Sequence, residues 1–428
     1  MASTDVATRR IERTKFGAAH IDYVLLLAVS ALLLIGLMMV FSTTFDWSYE
    51  ETESPWSFFI RQAMWVTLGL LVMAVLSRID YMWWRRLAVP IMGVALVLLA
   101  LVLGFGSVSF GAQRTFLNGS VQPSEPAKLA IIIYIAAWLA SKGQKVRQLT
   151  YGLIPFAVLI GLIAGLIVLQ PDFGTAILIV LTTGAMFFIA GADLLQVGLG
   201  CIVSGATFYL LIMNSSHAAE RLNQYIAAMS DSEPLSYHVH QALVALGSGG
   251  LFGRGLGASY QKFGYLPAPH TDSVFAVLGE ELGLAGCLVV VALFALLAQR
   301  GFKIALEARD PFGAVLASGL TCWLVFQAMI NVTVVIGLVP FTGIPLPFVS
   351  MGGSAMVSSL AAVGLMSSVS RGSQAAVTTR SQPRVVTASS QIRDSGFSFG
   401  IRHGGRERAR TLLRRRNRRA RISRVGRR

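Results

Sequence analysis

Residues 21–42 read IDYVLLLAVSALLLIGLMMVFS, an apolar run whose one charged side chain, Asp22, stands at its edge. A helix needs about 20 apolar residues to cross the roughly 30 Å hydrocarbon core of a bilayer. The run therefore predicts a transmembrane helix. No small-residue cleavage site follows it, so we expect the helix to be retained and not removed as a signal peptide.

Runs of similar length and composition recur along the rest of the chain. Only 13% of the residues are charged, whereas a soluble domain has about 25%. The other predicted spans are 58–77, 87–105, 126–141, 151–170, 173–190, 194–213, 273–299, 312–338 and 352–370. The sequence therefore predicts an all-α polytopic membrane protein of about ten transmembrane helices.

Basic residues divide the loops into two sets. Short cytoplasmic loops are enriched in Lys and Arg. Such residues precede the first run and follow runs two, four and eight, namely Arg9, Arg10, Arg13, Lys15, Arg78, Arg85, Arg86, Lys142, Lys145, Arg147, Arg300, Lys303 and Arg309. The loop after the first run instead carries Asp46, Glu50, Glu51 and Glu53. With ten helices, this alternation predicts that both termini are cytoplasmic.

The spans and loops predict three segments. Residues 1–20 form a cytoplasmic N-terminal segment and residues 21–370 form the membrane domain. Within that domain, residues 214–272 are a long outer loop between helices seven and eight, and their apolar, aromatic and glycine residues predict that it is partly helical. Residues 371–428 form a tail with 17 arginines and two acids, so the tail carries the whole net charge of +15.

The tail is poor in apolar residues and rich in one sign of charge, which predicts disorder. Two interpretations of it are open: a solvated tail close to anionic lipid, or a docking segment for a cytoplasmic partner. The rest of the chain is electrically neutral and does not indicate nucleic-acid binding. The three cysteines lie in apolar runs without paired spacing, so neither disulfides nor a metal site are indicated.

One polar cluster on the outer side joins Arg114 with Glu125 and Lys128 at the start of the fourth helix. Ionised side chains at membrane depth are costly and therefore mark functional candidates. Glu125 and Lys128 are three residues apart and share a helix face. Two interpretations are open: a structural ion pair that locks the helix, or a cationic site in which Lys128 and Arg114 bind an anionic headgroup.

A second cluster lies where the long outer loop meets the eighth helix and contains Lys262, His270 and Asp272. An Asp at a helix start is commonly an N-cap, which is one interpretation of Asp272. The other is a general base at the membrane surface, with His270 tuning its pKa or binding substrate. Of Glu280 and Glu281, which follow at membrane depth, we expect one to pair inside the bundle.

A third cluster comprises Asn331, residues 340–347 and residues 350–354. The three prolines in PFTGIPLP impose a rigid, non-helical path, which membrane proteins tolerate only where protein buries it or where it lines a cavity. The segment is either a rigid re-entrant turn or a turn that presents the N-terminus of the tenth helix to a phosphate. In a fourth segment, residues 170–175, we expect Asp172 to cap the sixth helix.

These clusters belong to five motifs that follow one another along the chain. They are QPSEPAK at 122–128, QPDFGT at 170–175, ALGSGGLFGRGLG at 245–257, HTDSVFAVLGEELG at 270–283 and TGIPLPFVSMGGS at 342–354. Each motif is weakly specific, but the set in this order resembles the SEDS family (shape, elongation, division and sporulation) over about 20–370.

The resemblance implies a peptidoglycan glycosyltransferase that joins lipid II into β-1,4 glycan strands with inversion and releases undecaprenyl pyrophosphate. It assigns Asp272 as the essential aspartate and Glu125 with Lys128 as a pair on helix four. It also implies the bacterial inner membrane, a class B penicillin-binding protein (a transpeptidase) as partner, and other division proteins. Gly255-Leu-Gly257 before Lys262 is more similar to the division branch than to the elongation branch, which implies the septum.

For that chemistry we expect Asp272 to take the proton of the attacking hydroxyl. We expect Lys128, Arg114 and Lys262, in that order, to offset the charge of the leaving pyrophosphate. Further substrate-binding candidates are Gln122, Ser124, Glu125, His270, Thr271, Ser350, Gly352 and Gly353, and the structural candidates are Asn331, Glu281, Pro345 and Pro347. A divalent cation, Mg²⁺ or Mn²⁺, is a possible cofactor, although no compact ligand cluster indicates one.

Two other functions stay open on the sequence alone: a lipid II flippase, and a non-catalytic membrane scaffold for a transpeptidase. Against the flippase, the polar groups cluster on the outer side and no clear internal repeat is present. Three residues depart from the family pattern: Ala268 stands where Glu is common, Ser273 where Phe is usual, and Met351 where Tyr is usual. These departures bear on the packing of the acceptor.

Overall fold

The computed structural model describes residues 22–105, 107–109, 112–115, 122–230 and 236–380, with the side chains of these residues except 107–109, 112–115, 216, 217, 229 and 373–380. Its helices and strands are α1 Tyr23–Thr52, α2 Ser57–Arg78, α3 Met82–Phe105, β1 Ser107–Ser109, β2 Ala112–Thr115, α4 Ser124–Lys142, α5 Ile154–Val168, α6 Phe173–Ile189, α7 Leu194–Met213, α8 Ser216–Met229, α9 Tyr237–Gly249, α10 Val274–Leu306, α11 Pro311–Val335 and α12 Gly353–Arg380. A 3₁₀ turn, Gly143–Arg147, and a π turn, Leu149–Leu153, join α4 to α5.

The helical architecture confirms the predicted fold class. Nine helices of the described chain are long and apolar enough to cross a membrane, and α6 is a tenth, shorter apolar helix of 17 residues. Each of the ten predicted spans coincides with one of them, so the protein is a multi-pass membrane protein. The long outer loop contains α8 and α9 and is therefore partly helical, as expected. The antiparallel hairpin of β1 and β2 is a feature that the apolar pattern did not predict.

Helices α11 and α12 form the centre of the bundle and α7 lies at its edge. Of the most apolar stretch of each helix, 72% is buried in α11 and 78% in α12, against 6% in α7. Tight packing at the centre depends on small residues. A Cβ added to Gly36 of α1 would stand 2.2 Å from the carbonyl oxygen of Phe348, so α1 lies directly against the irregular segment before α12.

Polar contacts tie together the helix ends that carry basic loops. Arg300 of α10 forms an ion pair with Asp22 at the start of α1, with 3.1 Å between Nε and Oδ1. Arg371 of α12 donates to the carbonyl of Ser77 in α2 at 2.8 Å. These contacts bring the predicted basic loops to one end of the bundle, and the polar motifs lie towards the opposite ends of the same helices.

Helix α10 is interrupted at Gly283, whose φ of 68° lies in the left-handed region. The long outer loop fills the break, because the amide nitrogens of Leu284 and Ala285 donate to the carbonyls of Gly250 and Leu251 at 3.0 and 3.1 Å. A Cβ on Gly283 would stand 2.3 Å from the nitrogen of Gly253. Glycine is therefore required on both conformational and steric grounds, and it fixes the loop to the helix.

Candidate active site

Asp272 lies in a turn directly before α10. The amide nitrogens of Thr271 and Ser273 both donate to the carbonyl of Ala268, at 3.2 and 3.3 Å. The N-cap residue of α10 is Ser273, and its side chain makes no capping bond. Ser273 Oγ instead donates to the carbonyl of Pro267 at 3.0 Å. Ser273, and not Asp272, therefore occupies the N-cap position of α10.

The backbone around Asp272 is held by side chains from other elements. Asn331 Nδ2 of α11 donates to the carbonyl of Asp272 at 2.8 Å and also to that of Ile344 at 2.8 Å. Ser350 Oγ donates to the carbonyl of Thr271 at 2.6 Å. A buried amide that makes two such bonds orients the backbone strongly, because losing either bond leaves a carbonyl unpaired. The structural role predicted for Asn331 fits this geometry.

The proline-rich segment forms the second wall of the site. Gln327 Nε2, one helical turn before Asn331, donates to the carbonyl of Pro345 at 2.9 Å. The amide of Leu346, between the two prolines, donates to Ser350 Oγ at 2.8 Å. The amide of Met351 donates to the carbonyl of His270 at 2.9 Å. Residues 344–351 thus form a rigid turn fastened both to α11 and to the turn of Asp272.

Gly343 leaves a gap beside the carboxylate of Asp272. Its φ is 70°, and an added Cβ would stand 3.4 Å from Asp272 Oδ2 and 4.0 Å from Cε1 of Phe341. Glycine at position 343 therefore avoids a side chain in direct contact with the Asp272 carboxylate. Asp272 itself is partly exposed.

Glu125 and Lys128 form the buried ion pair that was one of the two interpretations. Lys128 Nζ lies 2.9 Å from Glu125 Oε1, and the side chains are 2% and 3% exposed. Lys128 Nζ also donates to Gln327 Oε1 at 3.0 Å and lies 5.3 Å from the centre of the Trp323 ring. A cavity of about 10 Å³, the size of one water, adjoins Lys128 beside Thr182. Lys128 is therefore enclosed by protein, and its contact with an anionic headgroup stays a prediction.

Lys262 is likewise bound to a buried carboxylate. Its Nζ lies 3.2 Å from Glu281 Oε1, 3.2 Å from Ser42 Oγ and 2.8 Å from the carbonyl of Gly257. These three bonds occupy all its donors, and its side chain is 5% exposed. Lys262 therefore joins the outer loop to α1 and α10 in this geometry, and its contact with a leaving pyrophosphate stays a prediction. The expected pairing of Glu281 inside the bundle is confirmed.

Glu280 anchors the outer loop from the same turn of α10. Ser259 Oγ donates to Glu280 Oε2 at 2.5 Å, and the amide nitrogen of Tyr260 donates to Oε1 at 3.0 Å. Arg254 Nη1 approaches Oε1 at 3.9 Å. Both glutamates therefore hold loop residues 254–262 against the bundle.

The second motif packs against the fifth. Asp172 caps α6 as expected, because its Oδ1 accepts from the amide of Thr175 at 3.1 Å. Gln122 Nε2 donates to Asp172 Oδ2 at 3.4 Å, and the amide of Gln122 donates to Ser354 Oγ at 3.2 Å. The amide of Gly352 donates to Gln62 Oε1 of α2 at 3.3 Å. Gln122 and Gly352 therefore make structural contacts in this geometry.

The other candidates lie at varied positions. His270 stacks on Trp47 at a ring-centre distance of 4.7 Å, and burial lowers the pKa of its imidazole to about 4, so it is neutral at pH 7. Ser124 is buried. A Cβ on Gly353 would stand 2.5 Å from the Trp65 ring, so α12 begins in close contact with α2. Arg114 lies in β2, and its side chain is outside the described part of the chain.

Gln327 and His238 contribute to this site but were missed by reasoning from the sequence. Gln327 and Asn331 are a polar pair four residues apart in an apolar helix, a spacing that shares a face and could have identified Gln327. His238 of α9 lies 2.7 Å from Ser273 Oγ through Nε2, and its ring centre is 3.9 Å from that of Phe341. No local pattern links His238 to this site, because the contact depends on how α9 folds back.

A divalent cation, Mg²⁺ or Mn²⁺, as a cofactor stays a prediction. In the part of the chain that the structure describes, no group of three His, Cys, Asp or Glu side chains could hold a metal ion. Protein donors bind both oxygens of the buried Glu280 and Oε1 of Glu125 and Glu281, whereas Oε2 of Glu125 and Glu281 has no hydrogen-bond partner among the described residues. The reaction proposed below includes no step on a metal.

Comparisons with known proteins agree on one family. The family model for FtsW, RodA and SpoVE, described as cell cycle protein, matches residues 23–375. A probable peptidoglycan glycosyltransferase FtsW of Trichlorobacter lovleyi is 38% identical over 367 residues, which cover 85% of this chain and 96% of that protein. Stage V sporulation protein E of Bacillus subtilis is 37% identical over 354 residues, covering 82% and 97%.

Solved structures show the same similarity. A chain from a peptidoglycan synthase complex that coordinates polymerization and crosslinking matches with a TM-score of 0.66 and 28% identity, covering 82% of this chain and 98% of that one. The rod shape determining protein RodA of Thermus thermophilus matches with a TM-score of 0.59 and 28% identity, covering 82% and 97%.

Proposed function

Because this chain belongs to the FtsW, RodA and SpoVE family of cell cycle proteins, we propose that it is a peptidoglycan glycosyltransferase that polymerises lipid II. Relatives named as probable peptidoglycan glycosyltransferases cover more than four fifths of the chain. The observation that carries the proposal is the position of Asp272, a partly exposed carboxylate beside Gly343 on backbone held by Asn331 and Ser350.

The proposed reaction is an inverting displacement at the anomeric carbon of the donor sugar. The 4-hydroxyl of the acceptor sugar attacks that carbon, and the bond to the pyrophosphate oxygen breaks. Asp272 accepts the hydroxyl proton as the new bond forms, because a neutral hydroxyl is a poor nucleophile. The electron pair of the broken bond stays on the pyrophosphate, and a β-1,4 linkage results.

The rigid frame around Asp272 supports this role. A catalytic carboxylate must be held within a fraction of an ångström of the attacking group, and groups on neighbouring rigid elements achieve this best. Asn331 and Ser350 orient the turn, and Gln327 joins the proline-rich wall to Lys128. We propose that Lys128 and Lys262 act by holding this frame and not by contacting the substrate.

The proposal extends to partner and place. The similar chain from a peptidoglycan synthase complex supports a class B penicillin-binding transpeptidase as partner, and the lipid-linked substrate requires the bilayer. The relatives named FtsW favour the septum over the side wall. The alternation of basic and acidic loops supports cytoplasmic termini in a bacterial inner membrane.

The test is polymerisation of labelled lipid II by the purified protein in the absence of any other polymerase. We expect glycan strands from the native protein and at least a ~100-fold loss for Asp272→Asn, because general-base catalysis contributes about 10²–10⁴-fold. Asp193→Asn is the matched control, since Asp193 is an exposed carboxylate at the start of α7 without a capping bond.

Each other outcome identifies a different function. Transfer of lipid II across the membrane without strands would support a flippase, and neither activity would support a scaffold. Normal strands from Asp272→Asn would exclude Asp272 as the base while keeping the glycosyltransferase.

A further inference from the structure

A cation and an aromatic ring lie on the outer loop side of Asp272, in a group we call the Arg221 cluster: Arg221, Tyr225, His238 and Phe341. Arg221 Cζ is 5.7 Å from the centre of the Phe341 ring. Tyr225, one helical turn further along α8, donates its hydroxyl to the carbonyl of Leu338 at 2.6 Å. One face of α8 is thus fixed to the segment that leads from α11 into the site.

Phe341 is the common neighbour of Arg221 and Asp272. The methyl position that Gly343 leaves empty would contact both Asp272 Oδ2 and Phe341 Cε1, at 3.4 and 4.0 Å. His238, which packs against Phe341, also contacts Ser273, the residue after Asp272. Phe341 therefore lies against the guanidinium of Arg221 and close to the Gly343 position beside the Asp272 carboxylate.

Arg221 differs from the two lysines in accessibility. Lys128 and Lys262 are each enclosed and paired with a buried glutamate, whereas Arg221 is exposed. Arg221 forms no ion pair with any residue that the structure describes, and its guanidinium packs against the ring of Phe341. Its guanidinium therefore keeps donors that can bind an anion.

The proposed reaction requires a cation beside the leaving diphosphate, across the anomeric carbon from Asp272. In an inverting displacement the base and the leaving group lie on opposite sides of the anomeric carbon, and in inverting glycosidases the two groups that serve them are several ångströms apart. A guanidinium matches two phosphate oxygens with parallel N–H donors, which an ammonium cannot do. Helix α8 directly follows the end of the membrane helix α7. We therefore expect Arg221 close to the membrane surface, where the diphosphate of a lipid-linked donor lies.

We propose that Arg221 binds the diphosphate of the lipid-linked donor and offsets its charge as it leaves. This role rests on the proposed glycosyltransferase function and adds a leaving-group cation to it. The carboxylates of the peptide attached to the substrate are a second source of negative charge, but the diphosphate is bonded directly to the reacting carbon.

Polymerisation by Arg221→Gln, Arg221→Lys and Arg86→Gln tests the role. Arg86 is the matched control, because it is an exposed arginine of α3 that lies 5.6 Å from the Trp83 ring. We expect Arg221→Gln to lower kcat roughly 10- to 100-fold, the usual scale for one hydrogen bond to a charged group. Arg221→Lys should recover part of the rate, and Arg86→Gln should match the native protein.

Binding of undecaprenyl pyrophosphate, measured without turnover, separates a ligand contact from a structural one. We expect Arg221→Gln to bind it at least ~10-fold more weakly, to bind undecaprenyl monophosphate with a smaller loss, and to keep the native unfolding temperature. Lipid II with amidated peptide carboxylates should show the same ratio of native to variant rates.

Unchanged binding of undecaprenyl pyrophosphate in Arg221→Gln overturns the role, as does a rate ratio that vanishes with the amidated substrate. A lowered unfolding temperature with unchanged product binding makes Arg221 a structural residue and also overturns it. If the native protein makes no strands yet the binding difference persists, the polymerase function fails and the diphosphate site stands.

Discussion

At the scale of single residues, burial separates groups that hold the site from groups that can meet a substrate. The sequence does not distinguish Lys128 and Lys262 from exposed lysines. In the structure, each is enclosed by a carboxylate and by neutral acceptors. A buried charge is stable only when paired, and removing one partner is far more damaging than removing both. This asymmetry provides a test of what Lys128 does.

Lys128→Met should lose about 3–5 kcal/mol of stability, because it leaves Glu125 buried without its cation, and polymerisation should fall with it. The double variant Glu125→Gln/Lys128→Met removes both charges and should recover most of the stability and most of the rate. Thermal unfolding in detergent and strand formation from lipid II measure the two effects. A double variant that is as stable as the native protein but makes no strands would mean that Lys128 takes part in the chemistry.

His270 makes the turn of Asp272 sensitive to acid. Burial lowers the pKa of its imidazole to about 4, whereas an unfolded His titrates near 6.5. Between these values the unfolded chain binds more protons, so stability is complete above pH 6.5 and is lost as the pH falls towards 4. His238, whose pKa burial and Arg221 also lower to about 4, contributes in the same direction.

We therefore expect the unfolding temperature to fall between pH 7 and pH 4.5, and less steeply in His270→Phe, which can keep the stacking on Trp47. The exposed His240→Asn is the control and should follow the native curve. Equal slopes in the native protein and His270→Phe would show that this imidazole does not govern acid stability.

Local sequence patterns identify residues whose role depends on their own segment, and they miss residues that reach the site only through tertiary contacts. Asp272, Asn331 and the proline turn were predicted because charge at membrane depth and clustered prolines are visible in the sequence. Gln327 was overlooked although it shares a helix face with Asn331. His238 contacts Ser273 and Phe341 only because α9 folds back over the end of α11, and no periodicity encodes that approach.

At the scale of elements, the broken helix α10 connects the outer loop to the bundle. The spans themselves were predictable because a bilayer imposes a minimum apolar length. The break at Gly283 was not, because Leu282 and Leu284 continue the apolar pattern and the loop supplies the missing backbone partners. Glu280 and Glu281 then fasten the same loop by their side chains.

Gly283→Ala should loosen this junction. A non-glycine residue at φ 68° is strained by about 1–3 kcal/mol, and its Cβ would also clash with the backbone of Gly253. We expect faster proteolysis within residues 250–265 and a lower unfolding temperature. Gly198→Ala in α7 is the control, because an added Cβ there meets nothing within 4 Å. Proteolysis of the loop at the same rate in both variants would contradict a role of the break in anchoring it.

At the scale of the whole molecule, the net charge and the motifs of the proposed catalytic site lie in different segments of the chain. The motifs that form the site lie between residues 122 and 354, while the net charge of +15 resides in the 17 arginines and two acids after residue 370. Helix α12 continues to Arg380, past the predicted end of the last span. The interpretation of the tail as disordered falls mostly on residues 381–428, which lie outside the described part of the chain.

Truncation after Arg380 should therefore separate two properties of the protein. It keeps α12, including the bond from Arg371 to Ser77, so lipid II polymerisation in detergent should stay within about twofold of the native rate, the effect expected of a change remote from the site. Attraction of the detached tail peptide to vesicles with anionic lipid should exceed that to neutral vesicles, since each basic residue near such a surface contributes about 1 kcal/mol. A truncated protein that stays folded but loses polymerisation would make the tail part of the catalytic unit. Equal binding of the peptide to both kinds of vesicle would favour a protein partner over lipid.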